Sequence, residues 1–199
     1  MEQTENRRIK MTRMLLEQSL IELMRTKSIH EITVKELCEK ADINRSTFYK
    51  HYETVYALYS DILATVKAEI IDIIDSSQND NTLFSHKVIE TALNYVLERR
   101  ELFLVLLSNN SNIGIGESII NVTDNFLDKD NTSVFSRYCT QFVTAGLTSI
   151  IWMWLNDENR NSSHDIAVLL HTLLNHGLKR AMNFANREGR TDIDSERGS

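Results

Sequence analysis

Not one of the 199 residues is proline. At the usual share of ~5%, a chain of this length would hold roughly ten. Proline suits turns and strand edges, but it lacks the N–H that a helix interior needs and clashes with the preceding turn. Only six residues are glycine. Helices joined by short polar links fit this economy, whereas a turn-rich β fold does not. The expected fold class is therefore all-α. Apolar residues at 42% and charged residues at 25% give an ordinary globular balance. That balance excludes a wholly disordered chain and a fibrous one.

The two cysteines, Cys38 and Cys139, are too few for a disulfide framework or a cysteine zinc site, so a reduced compartment is expected. The opening MEQTENRRIK has no apolar core of a secretory signal, and a cytoplasmic location is the expectation. Positions 138–156 carry no charge. Gln141, Thr144, Thr148, Ser149 and Asn156 interrupt that stretch, so it reads as a buried helix rather than a membrane span. The formal net charge of −6 is unevenly spread. Residues 1–52 hold ten Lys/Arg against eight Asp/Glu, and the remainder twelve against twenty. A mildly basic end on an acidic chain suggests an anionic partner there.

Apolar residues recur at three- and four-residue spacing over 8–27, through Leu15, Leu16, Leu20, Leu23 and Met24. After a short connection, Thr33 and Glu36 read as a capping box for a helix to about Lys40, burying Val34, Leu37, Cys38 and Ala41. Asp42-Ile43 reads as a tight turn. Asn44 is the N-cap expected for another short helix through Tyr52, and Thr54 that for a long helix over 55–75. SSQNDN at 76–81 is the clearest loop. Beyond it, helices are expected over 82–98, 101–107, 117–126, 133–156 and 163–186. A polar, disordered tail is expected over 187–199.

Residues 33–52, TVKELCEKADINRSTFYKHY, carry the chemistry. Two short helices joined by a tight turn make a helix-turn-helix. If Phe48 packs inward, the second helix presents Arg45, Ser46, Thr47, Tyr49, Lys50 and His51 outward. Donors and cations on a short exposed helix match the acceptors and phosphates of a major groove. The same shape also occurs in proteins that bind no nucleic acid, so spacing alone leaves both readings open.

The run from Ala41 to Tyr52, ADINRSTFYKHY, closely resembles the recognition-helix signature of the TetR family of bacterial transcriptional regulators. The resemblance covers about residues 8–68 and extends more weakly to QFVTAGLTSIIWMWL and IAVLLHTLLNHGL. It implies a three-helix DNA-binding domain over 8–68 and a helical dimerisation and effector domain over 69–186. It also implies roles. Thr33 would touch a phosphate, and Arg45, Ser46 and Thr47 would approach base edges. Tyr49 and Lys50 would reach bases or backbone, His51 would bond a phosphate, and Phe48 and Tyr52 would be structural. Three positions depart from the family pattern. Asp42 stands where glycine is usual, Ser46 replaces a frequent glycine, and Val55 occupies the place of a phosphate-touching lysine.

The resemblance further implies a repressor that binds a palindromic operator as a homodimer and leaves when a small apolar effector binds. Tyr95, Phe103 and Phe142 are the expected effector-lining aromatics. Leu170, Leu173, Leu174, Gly177, Leu178 and Ala181, at helical spacing, are the expected dimer face. Gly146 and Gly177 would admit close helix approach. The alternative reading is a helical interaction module or co-activator working through a protein partner. No metal site is expected: His164, His171 and His176 share one helix at spacings of seven and five, unsuited to an adjacent-turn chelate. No cofactor and no catalytic constellation is expected either.

Overall fold

The computed structural model describes residues 2–76, 85–108 and 134–175. Among these there is no strand. The helices are α1 (Glu2–Met24), α2 (Val34–Ala41), α3 (Arg45–Phe48), α4 (Val55–Asp75), α5 (His86–Glu98), α6 (Arg100–Leu107), α7 (Val134–Asn156) and α8 (Ser163–Leu173). A 3₁₀ turn, Ile29–Glu31, lies between α1 and α2. No described helix is long and apolar enough to cross a membrane. The expected helix over 117–126 and the tail over 187–199 lie outside the described residues, as does nearly all of the 76–81 loop.

Local chemistry explains the helix starts. Thr33 Oγ1 accepts from the Glu36 N–H at 3.2 Å, and Asn44 Oδ1 from the Ser46 N–H at 2.9 Å. Thr54 and Ser85 cap α4 and α5 in the same way. The capping box expected at Thr33 is only half made, because the Glu36 carboxylate pairs with Lys27 instead. A return bond of that kind forms one step earlier, where the Ser28 N–H donates to Glu31. α1 also starts at Glu2 rather than near residue 8. Polar residues with good helix propensity extend the helix there without help from apolar spacing.

Two compact units divide the chain. The first runs to Ala68 and resumes at Glu101. Its core holds Leu16, Leu20, Leu37, Phe48 and Leu58, all essentially unexposed. Leu15, expected on the buried stripe, is exposed. α6 belongs to this unit from Glu101 onward, with Leu102, Phe103, Val105 and Leu106 buried and Arg25 paired to Glu101. Sequence reading had assigned that helix to the C-terminal part. α4 runs through the boundary at Ala68/Glu69 without a break.

The second unit takes the end of α4, α5, α7 and α8. α5 packs on α8. Val143 and Leu174 are buried together against Ile89, Cys139 and Leu147. Trp154 Nε1 donates to the Asn161 carbonyl at 2.8 Å, and Arg100 Nε to the Leu155 carbonyl at 2.9 Å, which fastens the end of α7.

Candidate nucleic-acid interface

The turn between α2 and α3 is set by Asp42, which lies at φ 53°, ψ 43°. It is the only non-glycine residue with positive φ among those described. Such a left-handed residue ends α2 and lets the Ile43 N–H bond the Cys38 carbonyl at 3.0 Å. The chain then turns directly into the Asn44 cap. Aspartate tolerates this backbone better than most residues, which is how the family glycine can be absent.

α3 is regular only over Arg45–Phe48, shorter than the helix expected through Tyr52. The next residues continue as tight turns, with the His51 and Tyr52 N–H groups both donating to the Phe48 carbonyl at 2.9 Å. Phe48 is wholly buried and Tyr52 nearly so, whereas Tyr49 is 58% exposed. Arg45, Ser46 and Lys50 are exposed, and Thr47 and His51 half-buried. Thr33 is exposed at the start of α2. Every residue assigned to DNA contact on α3 and its following turn is thus exposed or half-buried, while Phe48 and Tyr52 are buried.

Tyr52 does more than fill space. Arg13 Nε on α1 donates to its hydroxyl at 2.9 Å, and that hydroxyl donates to Asp61 on α4 at 2.8 Å. Arg13 also pairs directly with Asp61. Burial pushes the Asp61 carboxyl up, but the bonds from Arg13 and Tyr52 outweigh it and hold the carboxyl below its ordinary value. The recognition segment is therefore pinned at its far end to two helices. Sequence reading missed this cluster, because Arg13 and Asp61 stand 48 positions apart. It also missed that the Ser46 hydroxyl is engaged by Asn44 Oδ1 at 3.0 Å. Val55, in the place of the phosphate-touching lysine, is buried and offers no polar group to a backbone.

The other assigned residues fare differently. Tyr95 and Phe142 belong to the second unit and Phe103 to the first. Phe142, expected to line an effector pocket, is 80% exposed. Tyr95 donates to Glu69 at 2.6 Å and lies under the Arg99 guanidinium. Phe103 is buried. Leu170 and Leu174 are also buried within their own chain, so among the described dimer-face residues only Leu173 is on the surface. Leu174 packs with Val143 against Ile89 of α5 and Cys139 and Leu147 of α7. Gly177, Leu178 and Ala181 lie outside the described residues. A Cβ on Gly146 would meet nothing within 4 Å, so no described helix of the same chain presses on it. The histidines of α8 acquire a neighbour from α5, His86, whose ring lies 4.6 Å from that of His164.

Comparison with known proteins agrees with this architecture. Residues 85–176 match the TetR C-terminal family described as "Transcriptional regulator C-terminal region". The Bacillus subtilis (strain 168) protein YxbF, an uncharacterized HTH-type transcriptional regulator, is 23% identical over 167 residues. The match covers 76% of this chain and 42% of that protein, so the chain spans less than half its relative's length. Among solved structures, a TetR transcriptional regulator from Streptococcus agalactiae 2603V superposes with a TM-score of 0.60 at 17% identity, over 87% of this chain and 99% of its own. The fatty acid degradation regulator FadR from Bacillus halodurans gives 0.60 at 13%, over 84% and 96%. The dihydroxyacetone kinase operon activator DhaS gives 0.51 at 19%, with the same coverage. At these identities the superpositions speak for the fold. The helix-turn-helix near the N-terminus and the matched region over residues 85–176 make the chain similar to the TetR family of transcriptional regulators in both of its halves.

Proposed function

We propose that this regulator binds a palindromic operator as a homodimer, reads each half-site with the Arg45–His51 surface, and represses by occupying the promoter in the cytoplasm. The carrying observation is the split of one short segment into a buried Phe48 and an exposed polar face. In this reading Arg45, Thr47, Tyr49 and Lys50 meet bases, while Thr33 and His51 meet phosphates. Ser46, with its hydroxyl proton committed to Asn44, offers acceptor lone pairs. It is thus suited to a base-edge donor such as a cytosine or adenine amino group.

Exposed apolar surface on the second unit supports the homodimer. Tyr138, Phe142, Trp152 and Met153 follow one face of α7, and Val168, Leu169 and Leu173 an outer face of α8. Exposed apolar helix faces of this kind suit an interaction site. We assign Phe142, Trp152, Leu169 and Leu173 to the partner copy, in an isologous pairing of two helices from each chain. A small effector acting on the second unit completes the reading, with Tyr95 as the aromatic nearest the charged pair Glu69 and Arg99.

Fluorescence anisotropy with duplexes from the flanking DNA, at several salt concentrations, tests the proposal. Affinity for one inverted repeat with a steep salt slope is expected. A flat salt response with no preferred sequence would instead identify a protein-interaction module.

A further inference from the structure

Three side chains capable of holding a metal converge where the first turns of α5 and α8 meet. His86 opens α5, Glu90 lies one turn on, and His164 is the second residue of α8. One ligating atom from each lies within 4.8 Å of the other two. Glu90 Oε2 is 3.7 Å from His86 Nδ1 and 3.4 Å from His164 Nδ1. Around a tetrahedral zinc ion bound at about 2.0–2.2 Å, neighbouring ligand atoms lie roughly 3.3–3.6 Å apart. Two of the three separations are already close to that range.

The orientation of His86 adds an independent argument. Its Nε2 is 3.4 Å from the backbone carbonyl of His164. A carbonyl only accepts, so a hydrogen bond at this contact requires the proton on Nε2. In the neutral ring, Nδ1 then turns a lone pair toward a carboxylate that also offers only lone pairs. Such a pair is stable with a cation between its members, either a proton on Nδ1 or a metal ion. Metal-bound histidines characteristically donate their remote N–H to a carbonyl or carboxylate, the arrangement found here. The His86 and Glu90 side chains are half-buried, which limits competition from water. The His171 ring lies 6.4 Å from that of His86, close enough to supply a further imidazole by side-chain rotation. The positive ends of both helix dipoles oppose a cation, and the Glu90 charge offsets them.

We propose that His86, Glu90 and His164 bind a divalent transition-metal ion of the zinc class, which ties α5 to α8. Two imidazoles and one carboxylate suit Zn²⁺, Co²⁺ or Ni²⁺, whereas Mg²⁺ and Ca²⁺ prefer oxygen donors throughout. Three protein ligands leave a fourth position for water or His171. His164 lies 74 positions from Glu90, so the site exists only when the second unit is folded and the ion stabilises that fold. This inference is independent of how the first unit reads DNA.

The test uses the full chain without an affinity tag, stripped of metal and titrated with Co²⁺, whose visible spectrum reports tetrahedral ligation. The wild type should take up one ion per chain, release it to Zn²⁺, and unfold at a higher temperature with Zn²⁺ present. Glu90→Gln and His164→Asn should each weaken uptake by roughly tenfold or more, while His30→Ala leaves it unchanged. Glu90→Gln preserves shape and His164 is exposed, and the metal-free unfolding midpoint checks that both variants fold. Absence of the tetrahedral spectrum, or full uptake by the two variants, would overturn the proposal. So would an unfolding midpoint that responds to pH but not to Zn²⁺, the mark of a protonated His–Glu pair.

Discussion

Phe48 and Tyr49 are adjacent in the chain and have opposite tasks. Phe48→Ala removes a wholly buried ring and should destabilise the first unit by about 3–5 kcal/mol, read by denaturant unfolding. Tyr49→Ala and Lys50→Ala should leave that midpoint within ~0.5 kcal/mol. Each should weaken operator binding by about 1–3 kcal/mol, and wild-type affinity retained by both variants would refute the assigned face. Asp61 adds a pH dependence. Its carboxyl titrates below the ordinary value when folded and near ~3.9 when unfolded. Its stabilisation is therefore complete above the unfolded value and disappears as pH falls through the folded one. Asp61→Asn should flatten this acid limb. At neutral pH it should cost no more than ~1–2 kcal/mol, because the pair with Arg13 is partly exposed and screened by water. Which way Phe48 and Tyr49 face was legible from the resemblance carried by the ADINRSTFYKHY run. The hydroxyl bond of Ser46 and the outward turn of Phe142 were not, since both depend on what lies across from the side chain.

At the scale of elements, the turn into α3 depends on one strained residue. Asp42→Gly relieves a left-handed side chain and should stabilise the first unit by roughly 0.5–1 kcal/mol. Asp42→Val should destabilise it by about 1–2 kcal/mol, and thermal unfolding of the two variants in parallel measures the difference. The turn, and the caps at Thr33, Asn44 and Thr54, were readable because their signals lie within three residues of the bonds they make. The ends of α1 and α3 were less readable. Nothing local marks that the polar residues before Arg8 are already helical, nor where α3 loosens into turns after Phe48. α6 shows the larger gap. Its apolar run identified a helix, but an apolar run does not say which of two cores receives it.

For the whole molecule, the proposed homodimer gives different tasks to Leu173, the last residue of α8, and Leu174, its C-cap. Leu173 is half exposed and Leu174 is buried beside Val143. Leu173→Glu should yield a folded monomer by sedimentation, with weakened operator binding. Leu174→Glu should lower the unfolding midpoint before it changes mass, because it places a charge in the core. A Leu173→Glu protein that remains a dimer would remove α8 from the interface. In the proposed dimer the two α3 segments should bind half-sites whose centres are about 34–36 Å apart, or a further turn of DNA if the operator is long. Long-range partnerships of this kind, such as His86 with His164 or Leu174 with Val143, leave no trace in local spacing. They become visible only when distant helices are brought side by side.

The return of the chain to the first unit at Glu101 limits how this regulator can be recombined. A DNA-reading head cut at Ala68 looks like an interchangeable cassette, but it would leave behind the buried side chains of Leu102, Phe103, Val105 and Leu106. A chimera that joins residues 1–68 to a foreign C-terminal domain would therefore need a matching surrogate for α6. New pairings of the first unit with other C-terminal domains are then accessible mainly through donors that carry a similar helix at that place.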